Sequence, residues 1–123
     1  MDAEGTRRRC LLDGRETDPR RIVLDDVRRA FLYGDGIFET ILARRGRLVL
    51  WTGHWRRMAE AAAVVGLTPP PDPAAVRAAI EALLRSNGTP EAAVRLTLWR
   101  AGPAGFDPGG ETAARWLVES RPY

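Results

Sequence analysis

The stretch from Tyr33 to Arg57, YGDGIFETILARRGRLVLWTGHWRR, limits the possible folds most. It opens on the tight turn Gly34-Asp35-Gly36. An apolar run follows, Ile37 to Leu42, and Arg44-Arg45-Gly46-Arg47 interrupts it. A second apolar run, Leu48 to Trp51, then returns. Two such runs around a Gly-containing break predict a β-hairpin. Apart from Glu39 and Thr40 both alternating faces of Ile37–Leu42 are apolar, which predicts a strand buried on both sides. Ile37, Glu39 and Ile41 share one face; Phe38, Thr40 and Leu42 share the other. After Thr52-Gly53 the sequence turns helical and carries its single histidine, His54, beside Arg56 and Arg57. Strand, hairpin and basic helix start are close enough in sequence to build one site.

The flanking segments extend the pattern. Arg9 to Leu12 reads as a short strand ending in the hairpin turn Asp13-Gly14. Pro19 lies in a loop, Ile22-Val23-Leu24 is a short apolar contact, and Asp25 to Tyr33 leads into the central stretch. A first helix is predicted over about 52–65, with Met58, Ala61, Ala62 and Val65 as its core stripe and Gly66 closing it. Pro69-Pro70-Pro71 is a stiff connector. Asp72 then caps a second helix with Pro73 at its first position. That helix has Val76, Ile80, Leu83 and Leu84 on one stripe and stops at Asn87-Gly88. Strands are predicted over 94–99 and 113–118, around a Gly/Pro loop at 100–110. The order predicts an α+β fold: a mainly antiparallel sheet with two helices on one face.

Composition excludes several function classes. The length of 123 residues suits one domain. One cysteine, Cys10, allows no internal disulfide, and a single histidine with it excludes a Cys/His zinc site. No metal site is expected. No apolar run approaches membrane-spanning length, and no signal-peptide stretch follows the basic start, so a cytoplasmic protein is expected. The nineteen basic residues are all arginine, yet sixteen acidic residues leave a net charge of only +3. With no aromatic stacking platform in view, nucleic-acid binding is not expected. Gly34-Asp35-Gly36 lacks a third glycine and opens no helix, so it fails the dinucleotide fingerprint and reads as a turn.

Taken together, YGDG-I-FET, a hairpin, His54-Trp55-Arg56-Arg57-Met58 and a small-residue helix over Ala59–Val65 resemble the N-terminal half of the class IV, or fold type IV, pyridoxal-phosphate enzymes. These include D-amino-acid and branched-chain aminotransferases and aminodeoxychorismate lyases. Phe38-Glu39-Thr40 resembles the lyases and D-amino-acid enzymes more than the FEG of branched-chain enzymes. The resemblance implies the small N-terminal domain of the D-amino-acid aminotransferase-like fold over residues 1–118. It implies the start of an interdomain linker over 119–123 and a lysine-bearing C-terminal domain absent from this chain.

The resemblance also implies roles. Arg57, the arginine of H-x-x-R, would contact the phosphate of pyridoxal 5′-phosphate, a task its planar fork suits. Arg56 would be solvated and His54 structural. Glu39 is either a satisfied structural carboxylate or a pocket residue, Phe38 a pocket wall or core, and Tyr33 likewise. Arg100 to Phe106 resembles a loop that helps bind the substrate carboxylate in relatives. Ala104 stands where a second arginine is usual, so Arg100 either substitutes in part or ends the strand.

Such enzymes hold the cofactor on a lysine amine, and this chain has no lysine. The expectation is an aminotransferase or lyase part that contributes cofactor-phosphate and pocket residues, acts on amino acids or aminodeoxychorismate, and is inactive alone. Its implied partners are a C-terminal domain or separate chain supplying the lysine, a second copy in a homodimer, and a small-molecule amino substrate. The alternative is a non-catalytic interaction domain derived from such an enzyme.

Overall fold

A computed structural model describes residues 8–102, 110 and 112–123. The N-terminal hairpin pairs β1 (Cys10–Leu12) with β2 (Arg15–Thr17). Asp13 and Gly14 between them both take positive φ, 52° and 88°, the signature of a tight two-residue hairpin turn. A 3₁₀ turn (Pro19–Arg21) leads to α1 (Leu24–Tyr33). Next come β3 (Gly36–Arg44) and β4 (Arg47–Leu48), then α2 (Trp51–Val65) and α3 (Pro73–Asn87). Long strands β5 (Ala92–Arg100) and β6 (Ala114–Pro122) complete the order.

One six-stranded sheet results, in the order β2-β1-β6-β5-β3-β4, with its strand pairs antiparallel. Helices α2 and α3 cover one face. Met58 and Ala62 from α2 join Val76, Ile80, Leu83 and Leu84 from α3 in one buried cluster. The sheet answers with Leu11, Ile41, Val94, Leu96, Leu98 and Val118. The fold is therefore α+β, with the two expected helices on the core face.

The local signals behave as their chemistry dictates. Arg45 and Gly46 turn the β3–β4 hairpin with φ of 54° and 75°. The Asp72 carboxylate accepts from the amides of Ala74 and Ala75, and Gly88 ends α3 in the left-handed region.

Four expectations need correction. The second hairpin strand does not run to Trp51: Leu50 takes a left-handed φ of 57°, which breaks the extended run, and α2 begins at Trp51. The last strand does not end at Val118. Its pairing with β5 continues to Ala92↔Pro122, so residues 119–122 lie in the sheet. The lead-in before Tyr33 is the helix α1. Asp26 accepts from the Val23 amide at its start, and Gly34 closes it at φ 60°. Finally, β3 is buried on one face only, because α1 covers the second sheet face at one end alone. There the Asp26 carbonyl accepts from Trp99 Nε1 and Arg115 Nη1. Phe38 remains 55% exposed.

Gly36 is where β3 enters the sheet. A Cβ there would lie 2.5 Å from the Leu98 carbonyl oxygen and 3.1 Å from Trp99 Cβ. The carbonyl belongs to paired backbone and cannot swing aside. Gly36→Ala should therefore cost about 1–3 kcal/mol, read as a lower urea midpoint. An unchanged midpoint would mean that β3 and β5 separate freely at this end.

Candidate active site at the open edge of β3

Strand β4 pairs only with Ala43 and Arg44 of β3. On that side the first half of β3 has no strand partner among the described residues. Side chains on the two faces of β3 border this open edge, and α2 starts beside it.

On the core side the edge carries Glu39. Its Oε1 accepts from His54 Nδ1 at 2.7 Å and Arg57 Nη2 at 2.8 Å; its Oε2 accepts from Arg57 Nε at 3.0 Å. His54 and Arg57 are three residues apart on α2 and so share a face. An ionised carboxylate only accepts, so Nδ1 of His54 carries the proton in this bond. Glu39 and His54 are mostly buried, whereas Arg57 is 68% exposed. The Arg57 hydrogen bonds hold the Glu39 carboxyl below the usual carboxylate range; burial opposes them and His54 adds to them. Arg56 points about 100° away around the helix.

On the opposite side the edge carries Phe38, with the Arg95 guanidinium 3.8 Å above its ring centroid. A shallow cavity of about 270 Å³ adjoins, lined by Thr40, Arg95, Glu119 and Arg121 among others. Glu119 is the cross-strand neighbour of Arg95, yet the guanidinium lies over Phe38.

A third cluster closes the end of the sheet. Asp35 Oδ2 accepts from Arg29 Nε at 2.8 Å and from Arg100 Nε at 2.9 Å. Arg100 also donates to the carbonyls of Gly66 and Val65, at 3.1 and 2.6 Å, and so caps α2. Burial pushes the Asp35 carboxyl up, but the bonds from the two guanidiniums outweigh it and hold it low.

The sequence candidates thus separate. Glu39 and Arg57 meet on the core side of the edge, with His54. Phe38 is on the other face and is not core. Tyr33 ends α1, half-buried, with the Arg29 guanidinium 5.1 Å from its ring centroid. Arg100 faces inward and binds within the chain. Ala104 and the rest of the expected loop from Pro103 to Phe106 lie outside the described residues. Two features escape sequence reasoning: the stacking of Arg95 on Phe38, and the use of the GDG aspartate as a bridge between two arginines. Neither has a local signal: Arg95 reaches Phe38 through the pairing of β3 with β5, and Asp35 joins Arg29 of α1 to Arg100 of β5. Among the described residues no cluster of His, Cys, Asp or Glu could hold a metal, and no helix is long and apolar enough to cross a membrane.

Comparison with known proteins gives concordant relatives. The profile of the family described as Amino-transferase class IV matches residues 36–123. A bifunctional aminodeoxychorismate lyase / D-amino acid transaminase of Mycobacterium tuberculosis is 34% identical over 100 residues, covering 79% of this chain and 34% of that protein. The 4-amino-4-deoxychorismate lyase of Pseudomonas aeruginosa superposes with a TM-score of 0.70 at 29% identity, covering 92% of this chain and 39% of that one. The T.th. branched-chain amino acid aminotransferase, complexed with N-(5′-phosphopyridoxyl)-L-glutamate, gives 0.81 at 21% identity, covering 94% and 41%. This last likeness shows the fold alone. The chain spans about a third of the length of the curated relative.

Proposed function

Because the chain belongs to the class IV aminotransferase family, we propose that it forms the cofactor-phosphate and pocket-wall part of a pyridoxal-phosphate-dependent aminotransferase or lyase. The observation that carries this reading is the geometry of Arg57. Its Nε–Nη2 edge is bound to Glu39, which leaves the outer Nη1–Nη2 edge of a side chain that is 68% exposed. A guanidinium held in this way offers two parallel donors, the arrangement that suits phosphate. The residues present therefore fit a phosphorylated cofactor.

When bound, the cofactor supplies an electron sink for bond cleavage at the amine-bearing carbon. The work of this chain is binding and orientation. Arg57 donates to phosphate oxygens. Phe38 and Thr40 wall the substrate side, and Arg95, stacked on Phe38, presents a cation to a substrate carboxylate. Arg100 and Tyr33 support that wall from within: Arg100 fixes the end of β5, and Tyr33 ends the helix that covers it. The amine that holds the cofactor, and the proton transfer at carbon, would come from a lysine-bearing domain or chain in a homodimeric enzyme. The substrate class would be amino acids or aminodeoxychorismate.

The absence of lysine gives a direct test. The purified chain, treated with pyridoxal 5′-phosphate and borohydride, should carry no reduced adduct on any side chain by peptide mass spectrometry. It should also show no transaminase turnover. An adduct on an internal residue, or turnover by the pure chain, would overturn this division of labour.

A further inference from the structure

Glu39 is a carboxylate on the apolar face of the sheet. Its neighbours along β3 on that face are Ile37 and Ile41, and its cross-strand partner on β5 is Leu96. A charge in such a place is unfavourable unless it is paired and hydrogen-bonded. Here both oxygens are used, by two residues of α2. Arg57 bridges both carboxylate oxygens, and His54 donates a further bond to Oε1. The result is a rigid link between the open edge of β3 and the exposed side of α2.

We propose that Glu39 is the positioning residue of the phosphate contact: it locks Arg57 in the rotamer that presents the outer edge of its guanidinium at the open edge of β3. This inference rests on the reading of Arg57 as the phosphate-binding residue and adds the group that makes it effective. An arginine this exposed would otherwise sample many rotamers and lose that freedom on binding an anion. The Nε–Nη2 edge facing Glu39 leaves the Nη1–Nη2 edge with its donors aligned in advance. His54 completes the device by keeping Glu39 from turning away with Arg57.

Glu39 is a negative charge in contact with Arg57. Coulomb attraction alone would therefore tighten anion binding when that charge is removed. Positioning predicts that binding weakens instead.

The test uses the whole chain and two probes, pyridoxamine 5′-phosphate and pyridoxamine. The ratio of their affinities, from NMR titration of amide and arginine Nε–H resonances, isolates the phosphate contact from the ring. Arg57→Ala should lower that ratio by about tenfold or more. Glu39→Gln and Glu39→Ala should each lower it by about three- to tenfold, the range for one side chain that must be ordered on binding. Thermal melts identify any variant that fails to fold, and the nearly isosteric glutamine keeps the test usable if alanine does. A loss in Arg57→Ala with no loss, or a gain, in Glu39→Gln overturns the role of Glu39 alone. An unchanged ratio in Arg57→Ala overturns the phosphate reading and the role of Glu39 with it.

Discussion

Replacing Asp35 with Ala should destabilise the fold by about 3–5 kcal/mol, the usual loss when one partner of a buried ion pair is removed. Asp35 Oδ2 is shared by Arg29 and Arg100, whose side chains are only 5% and 10% exposed. Without the carboxylate two guanidiniums would face each other with one anionic partner lost. The damage would spread, because Arg29 belongs to α1 and Arg100 to β5, and Arg100 also caps α2 through Gly66 and Val65. Domains are commonly stable by about 5–15 kcal/mol, so the variant would sit close to unfolding. Asp35→Asn, which keeps an acceptor but not the charge, should fall between. Urea unfolding measures both. A loss below about 1 kcal/mol for the alanine variant would mean that the two guanidiniums reach water and that the cluster is not the clasp of this end of the fold.

The parts of this fold that sequence reading finds are those whose determinants lie within a few residues. Asp13-Gly14 and Arg45-Gly46 turn because their backbones need positive φ, and Asp72, Pro73 and Gly88 mark a helix by local capping chemistry. Helix α1 is hidden for a physical reason. Its inward face holds the charged Arg29, while Phe31 is 76% exposed and Leu24 and Leu32 are also outward. A search for an apolar inward stripe finds nothing coherent there. Burial of β3 on both sides is the expectation because both faces of Ile37–Leu42 are largely apolar, but helices α2 and α3 cover only one of them and Phe38 is on the other.

The site is legible in the same uneven way. Glu39, Phe38 and Arg57 are each in view, since short motifs mark them. Their arrangement is not. Glu39 meets His54 and Arg57 across fifteen and eighteen residues of chain, and Arg100 meets Asp35 across sixty-five. Only the register of β3 on β5 and the placement of α2 over the sheet decide those contacts. In the sequence Arg95 is simply one residue of an alternating strand. Its role emerges from the pairing Thr40↔Arg95, which sets it diagonally across from Phe38 on the uncovered face.

Cofactor titration of paired arginine variants tests the central claim most directly, with this chain assembled with a lysine-bearing domain of its family. Arg57→Ala removes a charge-assisted contact, so pyridoxal 5′-phosphate should bind about ten- to a hundredfold more weakly. Arg56→Ala removes the same charge from the adjacent position, on a side chain pointing about 100° away, and should leave affinity unchanged. The pair therefore separates a specific phosphate contact from the general effect of an arginine-rich surface. Equal affinities for the two variants would contradict the account, and Arg57 would then be a solvated arginine that serves only to satisfy Glu39.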